Sequence, residues 1–100
     1  MPENCPLKVA FSSYAMGIDR GMFAKVETLL AADRGVTKVE RSPWGREGEV
    51  MLCARTRSGR DATRLFHAIA ALAPARPRGP VTVSTRSGLI FHAPPLRRVR

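Results

Sequence analysis

Residues 49–61 read Glu49-Val50-Met51-Leu52-Cys53-Ala54-Arg55-Thr56-Arg57-Ser58-Gly59-Arg60-Asp61, and the fold turns on how this stretch is divided. Val50, Leu52, Ala54 and Thr56 alternate with Met51, Cys53, Arg55 and Arg57, the period of two by which a strand sends side chains to opposite faces. Directly behind it, Ser58 and Asp61 have the spacing of a capping box, in which each side chain satisfies the other residue's backbone amide. A strand therefore passes straight into a helix. That helix carries the apolar stripe Ala62, Leu65, Phe66, Ile69 and Leu72 and stops at Pro74.

Working outward, residues 42–48 hold a proline and two glycines and form a turn-rich connection, preceded by a short strand from Val36 to Arg41. Asp19 caps a helix over 20–33, where Met22, Phe23, Val26, Leu29 and Leu30 recur at helical spacing. Leu7, Val9 and Phe11 alternate within a first strand, Leu7 to Tyr14. Downstream, residues 75–80 make a stiff connector to the strand Val81–Thr85, and Leu89–His92 folds back on it across Arg86-Ser87-Gly88 as an added edge strand. Residues 94–100 read as a basic Pro/Arg tail without fixed structure, leaving 1–93 as one domain. The order strand, helix, strand, strand, helix, strand predicts an α+β fold of the ferredoxin-like, split βαβ kind, an antiparallel sheet with both helices on one face.

Such a sheet buries Leu7, Val9, Phe11, Val50, Leu52, Ala54, Val81 and Val83 and leaves the opposite parity open. The open face then presents Lys8, Ala10, Ser12, Tyr14, Met51, Cys53, Arg55, Arg57, Thr82, Ser84 and Arg86.

The charge is lopsided. In residues 1–50 seven Lys/Arg balance seven Asp/Glu, whereas residues 51–100 hold ten Arg and the single acid Asp61, so the whole formal charge of +9 lies there. Fourteen of the seventeen basic residues are Arg, a bias that GC-rich coding also produces, but coding bias does not explain the missing acids. The expected partner is nucleic acid or another polyanion, held by Arg55, Arg57, Ser58, Gly59, Arg60, Arg64 and Arg86 together with Lys8 and Tyr14. The tetrapeptide Thr-Arg-Ser-Gly occurs at 56–59 and again at 85–88, each time after a strand. The first copy opens a helix, whose free amides and dipole favour an anion, but ordinary turn and cap chemistry is the better account of a four-residue repeat in so arginine-rich a chain.

The rival reading makes Met51 and Cys53 the apolar centre of a homodimer interface. Trp44 either packs across the helix ends as a lid or stands out as a partner anchor, and Glu40, Glu47 and Glu49 are placed to pair with Arg41 and Arg46 beside it. The strand 49–56 lacks the aromatics of an RNA-recognition motif, and dinucleotide, P-loop and Gly-x-Ser-x-Gly signatures are missing. His67 and His92 have no orienting partner at sequence level, and a Cys53–His92 dyad requires a coincidence of folding. The expectation is a binding protein with no catalytic residues, metal or cofactor. No stretch reaches the ~20 apolar residues of a membrane helix, and no secretion signal opens the chain, so the expected compartment is the cytoplasm. Cys5 shares the inward parity of Leu7 while Cys53 shares that of Arg55, which predicts two free thiols on opposite sides of the sheet, Cys53 the more reactive.

Overall fold

The computed structural model describes residues 5–45 and 48–95. Strand β1, Leu7–Phe11, buries Leu7, Val9 and Phe11 completely and leaves Lys8 and Ala10 half-buried, the pattern its alternation demands. Helix α1, Arg20–Ala32, begins where the Asp19 carboxylate accepts the Met22 amide at 3.0 Å and buries Met22, Phe23, Val26 and Leu30. It ends at Asp33, whose backbone turns extended and whose side chain accepts the Gly35 amide at 2.8 Å, so a turn competes successfully with a further helical residue. Strand β2, Val36–Pro43, is longer than expected, and its register against β3, Val50–Thr56, shifts between Val36 and Lys38. Helix α2, Gly59–Leu72, starts at the Ser58 cap and buries Ala62, Leu65, Phe66 and Ile69. The Ser58 hydroxyl accepts the Asp61 amide at 3.1 Å as expected, but it donates to the Asp61 carboxylate at 2.9 Å where a reciprocal amide contact was expected. Strands β4, Val81–Thr85, and β5, Ile90–Ala93, form a hairpin whose turn contains Gly88 at φ 110°, a conformation open to glycine.

The result is an α+β fold with a five-stranded antiparallel sheet in the order β2-β3-β1-β4-β5 and two helices. Leu7, Val9, Phe11, Val50, Leu52, Val81 and Val83 pack with the buried faces of both helices into one core, which places α1 and α2 on the same side. Phe11 and Phe23 meet edge to face at 5.1 Å, joining the central strand to α1. Each such fully buried side chain contributes roughly 1.5–3 kcal/mol through removal from water.

The connector between α2 and β4 is tied to the other end of the sheet. The Asp19 carboxylate also accepts the Arg78 amide at 2.9 Å, and a Cβ on Gly79 would collide with the Ser12 carbonyl oxygen, so only glycine lets these two segments approach. Burial pushes Asp19 up, but the Arg78 and Met22 amides and the Arg78 charge outweigh it and hold the carboxyl below its usual range.

Two expectations are corrected here. The first strand ends at Phe11: the Ser12 amide still reaches the Pro80 carbonyl in the β4 register, but proline has no amide to carry the ladder further, and Tyr14 lies in a bend beyond the sheet. The cysteines form a disulfide, Cys5–Cys53, with their Cα atoms 5.4 Å apart. Strand parity does not extend to Cys5 because the chain bends at Pro6, whose ring fixes φ and whose carbonyl takes the Arg86 amide at 3.2 Å. Cys5 is carried over the face away from the helices, onto the middle of β3. Residues 96–100 of the expected basic tail lie outside the described residues.

Candidate anion-binding site

Because Leu7 pairs with Ala54 on one side and Thr85 on the other, the segments that follow β3 and β4 leave the sheet at the same end, where Pro6 enters. The two Thr-Arg-Ser-Gly turns thereby come together at the start of α2. Between them lies a cavity of about 280 Å³ lined by Pro6, Gly59, Ala62, Thr85, Arg86 and Ser87. The turns themselves use their hydroxyl groups internally: Thr56 donates to the Ser58 carbonyl at 2.8 Å, Ser58 is engaged with Asp61, and Thr85 and Ser87 share a hydrogen bond of 2.8 Å. The repeat thus supplies turn and cap chemistry, and the groups it leaves available are guanidinium groups.

Not all of those are equally available. Arg64 makes a two-pronged contact with Asp33, at 2.7 and 2.9 Å, and a third hydrogen bond to Asp61 at 2.9 Å. It clasps the end of α1 to the start of α2, and its charge is spent. Arg64 and then the Gly35 amide hold the Asp33 carboxyl down to about 2, and Arg64 followed by Ser58 lowers Asp61 as well. A Cβ on Gly35 would come within 2.7 Å of the Asp61 carboxylate, so any larger residue there displaces a member of this clasp. Arg57 donates from Nε to the Arg34 carbonyl at 2.8 Å and keeps its charge, while Arg34, Arg60 and Arg86 have no acidic partner among the described residues. Both acids at this end are occupied by Arg64. The pole therefore carries the uncompensated charge of Arg34, Arg57, Arg60 and Arg86, of which Arg86 lines the cavity.

The single platform expected on the open sheet face is divided by the fold. Arg55 pairs with Glu40 at 3.2 Å across β2 and β3, and Lys8 sits on β1 opposite both Cys53 and Ser84. Tyr14, 58% exposed, and Trp44, 38% exposed, lie at the far end of the sheet from the basic pole. Glu40 is thus unavailable to Arg41, which instead stacks over the Phe23 ring at 5.0 Å and approaches Glu27 at 4.0 Å. Met51 and Cys53, expected as exposed interface residues, are each 1% exposed, and in this state they offer no surface to a second copy. His92 bonds Thr82 at 2.8 Å on the outer strands, and β1 and β4 separate it from β3, so no Cys53–His92 dyad forms.

Sequence reasoning missed Arg34 and Pro6. Asp33-Arg34-Gly35 carries the local signal of a helix end and nothing more, and only the tertiary fold sets it beside Arg57. The cystine removes one ground for expecting the cytoplasm, where disulfides are rare and mostly transient. No helix among the described residues is long and apolar enough to cross a membrane.

Fold and site together define a small α+β domain with one strongly basic pole. Comparison of the chain with protein-family models, with curated proteins and with solved structures finds no match.

Proposed function

We propose that this chain is a non-enzymatic binding protein that holds a polyanion, nucleic acid foremost, at the pole formed by Arg34, Arg57, Arg60 and Arg86. The observation that carries the reading is that Arg86 lines the cavity at the start of α2 while Arg57, Arg60 and Arg34, none with an acidic partner among the described residues, lie at the same end of the fold, where the helix dipole adds to the attraction. The strand order β2-β3-β1-β4, with the two helices on one face, supports a ferredoxin-like split βαβ scaffold to which β5 is an added edge. Such scaffolds host many activities, so the function is argued from the pole alone.

Fluorescence anisotropy with a mixed-sequence oligonucleotide tests it. Four phosphate contacts require log affinity to fall against log salt with a slope of about −3 to −4. Arg60→Gln and Arg86→Gln should each weaken binding and shrink that slope by about one, while Arg20→Gln, at the opposite end, should leave both unchanged. A flat salt response, or equal losses from Arg20 and Arg86, overturns the proposal.

A further inference from the structure

Strand β2 is the longest in the sheet and stands at its edge, with no strand beyond it. The Trp44 amide donates to the Glu49 carbonyl at 2.9 Å, one step past the register pair of Pro43 and Val50. By the alternation of an antiparallel ladder, Ser42, Glu40 and Lys38 then turn their backbone groups toward β3, while Arg41, Val39 and Thr37 turn theirs away from the sheet. An outward row of this kind is a template for another strand. It is blunted at its two ends, by the register shift between Val36 and Lys38 and by Pro43, which has no amide to offer. The stretch between them is open. The other edge, β5, has only the residues Ile90–Ala93, and Pro94 follows.

Charge decides what fits there. Lys38 and Glu40 stand on the face away from the helices, opposite Arg55 and Cys53, whereas Val39 stands on the helix face opposite Ala54 and is 39% exposed. Lys38 has no acidic partner among the described residues, and Glu40 holds Arg55 at 3.2 Å. A second copy of β2, antiparallel and related by a two-fold axis, matches outward residues to outward residues with the axis at Thr37, Lys38, Val39, Glu40 or Arg41. An axis at Lys38, Glu40 or Arg41 sets that charge against its own copy, and one at Thr37 runs the pairing into the bulge. The axis at Val39 does neither. It sets Lys38 opposite the partner's Glu40 and Glu40 opposite the partner's Lys38.

We propose that β2 is a homodimer interface, in which two copies pair antiparallel about an axis at Val39 and join their sheets into one. Thr37, Val39 and Arg41 exchange backbone hydrogen bonds with the partner's Arg41, Val39 and Thr37. The exposed valines meet on the helix face, and on the other face each Lys38 reaches a glutamate already engaged with Arg55. Because the contact is isologous, the charge pair occurs twice. The surface differs from the open-face dimer expected around Met51 and Cys53. It includes none of Arg34, Arg57, Arg60 and Arg86, so it stands independently of the polyanion reading.

Sedimentation equilibrium from micromolar to millimolar protein should show a monomer–dimer equilibrium; a monomer throughout overturns the proposal. Lys38→Glu sets carboxylates opposite each other at two places and should weaken the dimer about tenfold, and Glu40→Lys should do the same with ammonium groups. Two recoveries identify the register. An equimolar mixture of the two single variants should form a heterodimer, because the carboxylates at 38 and 40 of one chain then face the ammonium groups at 40 and 38 of the other. The double variant, with the two charges exchanged, should dimerise again, its new carboxylate lying opposite Arg55. Dimers indifferent to these reversals overturn the proposed pairing. Hydrogen exchange at low and high protein concentration reads the backbone directly: the Val39 and Arg41 amides should gain protection as the dimer fills, while the Glu40 amide, turned toward β3, should be protected throughout. Protection gained on β5 instead overturns the assignment to β2.

Discussion

Removing both halves of the disulfide, as Cys5→Ala with Cys53→Ala, isolates what the crosslink does for stability. The bond closes a loop of 48 residues, nearly half the chain. In the loop-entropy account, a closure of that length withdraws enough freedom from the unfolded ensemble to stabilise the fold by about 4 kcal/mol. For a domain of this size that is a shift of roughly 20 °C in Tm, and a large part of the 5–15 kcal/mol typical of folded domains. Urea unfolding followed by far-ultraviolet circular dichroism is the assay, on the oxidised wild type, the reduced wild type and the double variant. Because the argument places the effect in the unfolded state, the reduced wild type and the double variant should lose nearly the same amount, with a steeper denaturant dependence than the oxidised protein as the freed chain exposes more surface. A loss below about 1 kcal/mol in both refutes the reasoning. A large loss in the double variant with almost none in the reduced wild type also refutes it, by showing that packing around Cys53 carries the stabilisation.

The Asp33–Arg64 clasp makes the fold acid-sensitive. With Asp33 lowered from 3.8 to about 2, its contribution is complete above about pH 4 and is lost as the pH falls through 2, and Asp33→Asn should flatten that part of a plot of urea midpoint against pH. Gly79→Ala forces a methyl group against the Ser12 carbonyl and should cost about 1–3 kcal/mol by chemical denaturation, whereas Gly59→Ala, with open space around the new Cβ, should be neutral or slightly stabilising. Leu65→Ala, in the fully buried stripe of α2, should lower stability by about 2–5 kcal/mol in the same assay.

Nearly every element was legible in the sequence, because strands and helices announce themselves by short periods and local caps. The alternation of Leu7, Val9 and Phe11, the stripe from Ala62 to Ile69 and the Ser58–Asp61 cap needed only neighbours a few residues away, and each appears in place. The boundaries that moved were decided by distant partners: β1 stops at Phe11 because Pro80, its next partner on the β4 side, has no amide to extend the ladder, and β2 runs on to Pro43 because β3 continues opposite it.

The site was read less well, and for one physical reason. Parity is a property of continuous strand, and the bend at Pro6 cancels it, so Cys5 crosses to the side of Cys53 and the two expected thiols become a covalent tie. Charge in the sequence is a sum, whereas charge at a surface depends on which side chains the fold brings within a few ångströms of one another. The excess of arginine after residue 50 was visible from composition alone, and so was the pair of Thr-Arg-Ser-Gly turns. That Arg64 is spent on Asp33, 31 residues away, that Glu40 takes Arg55 across two strands, and that Arg34 joins Arg57 at the same pole were decided only when the strands paired and the helices docked.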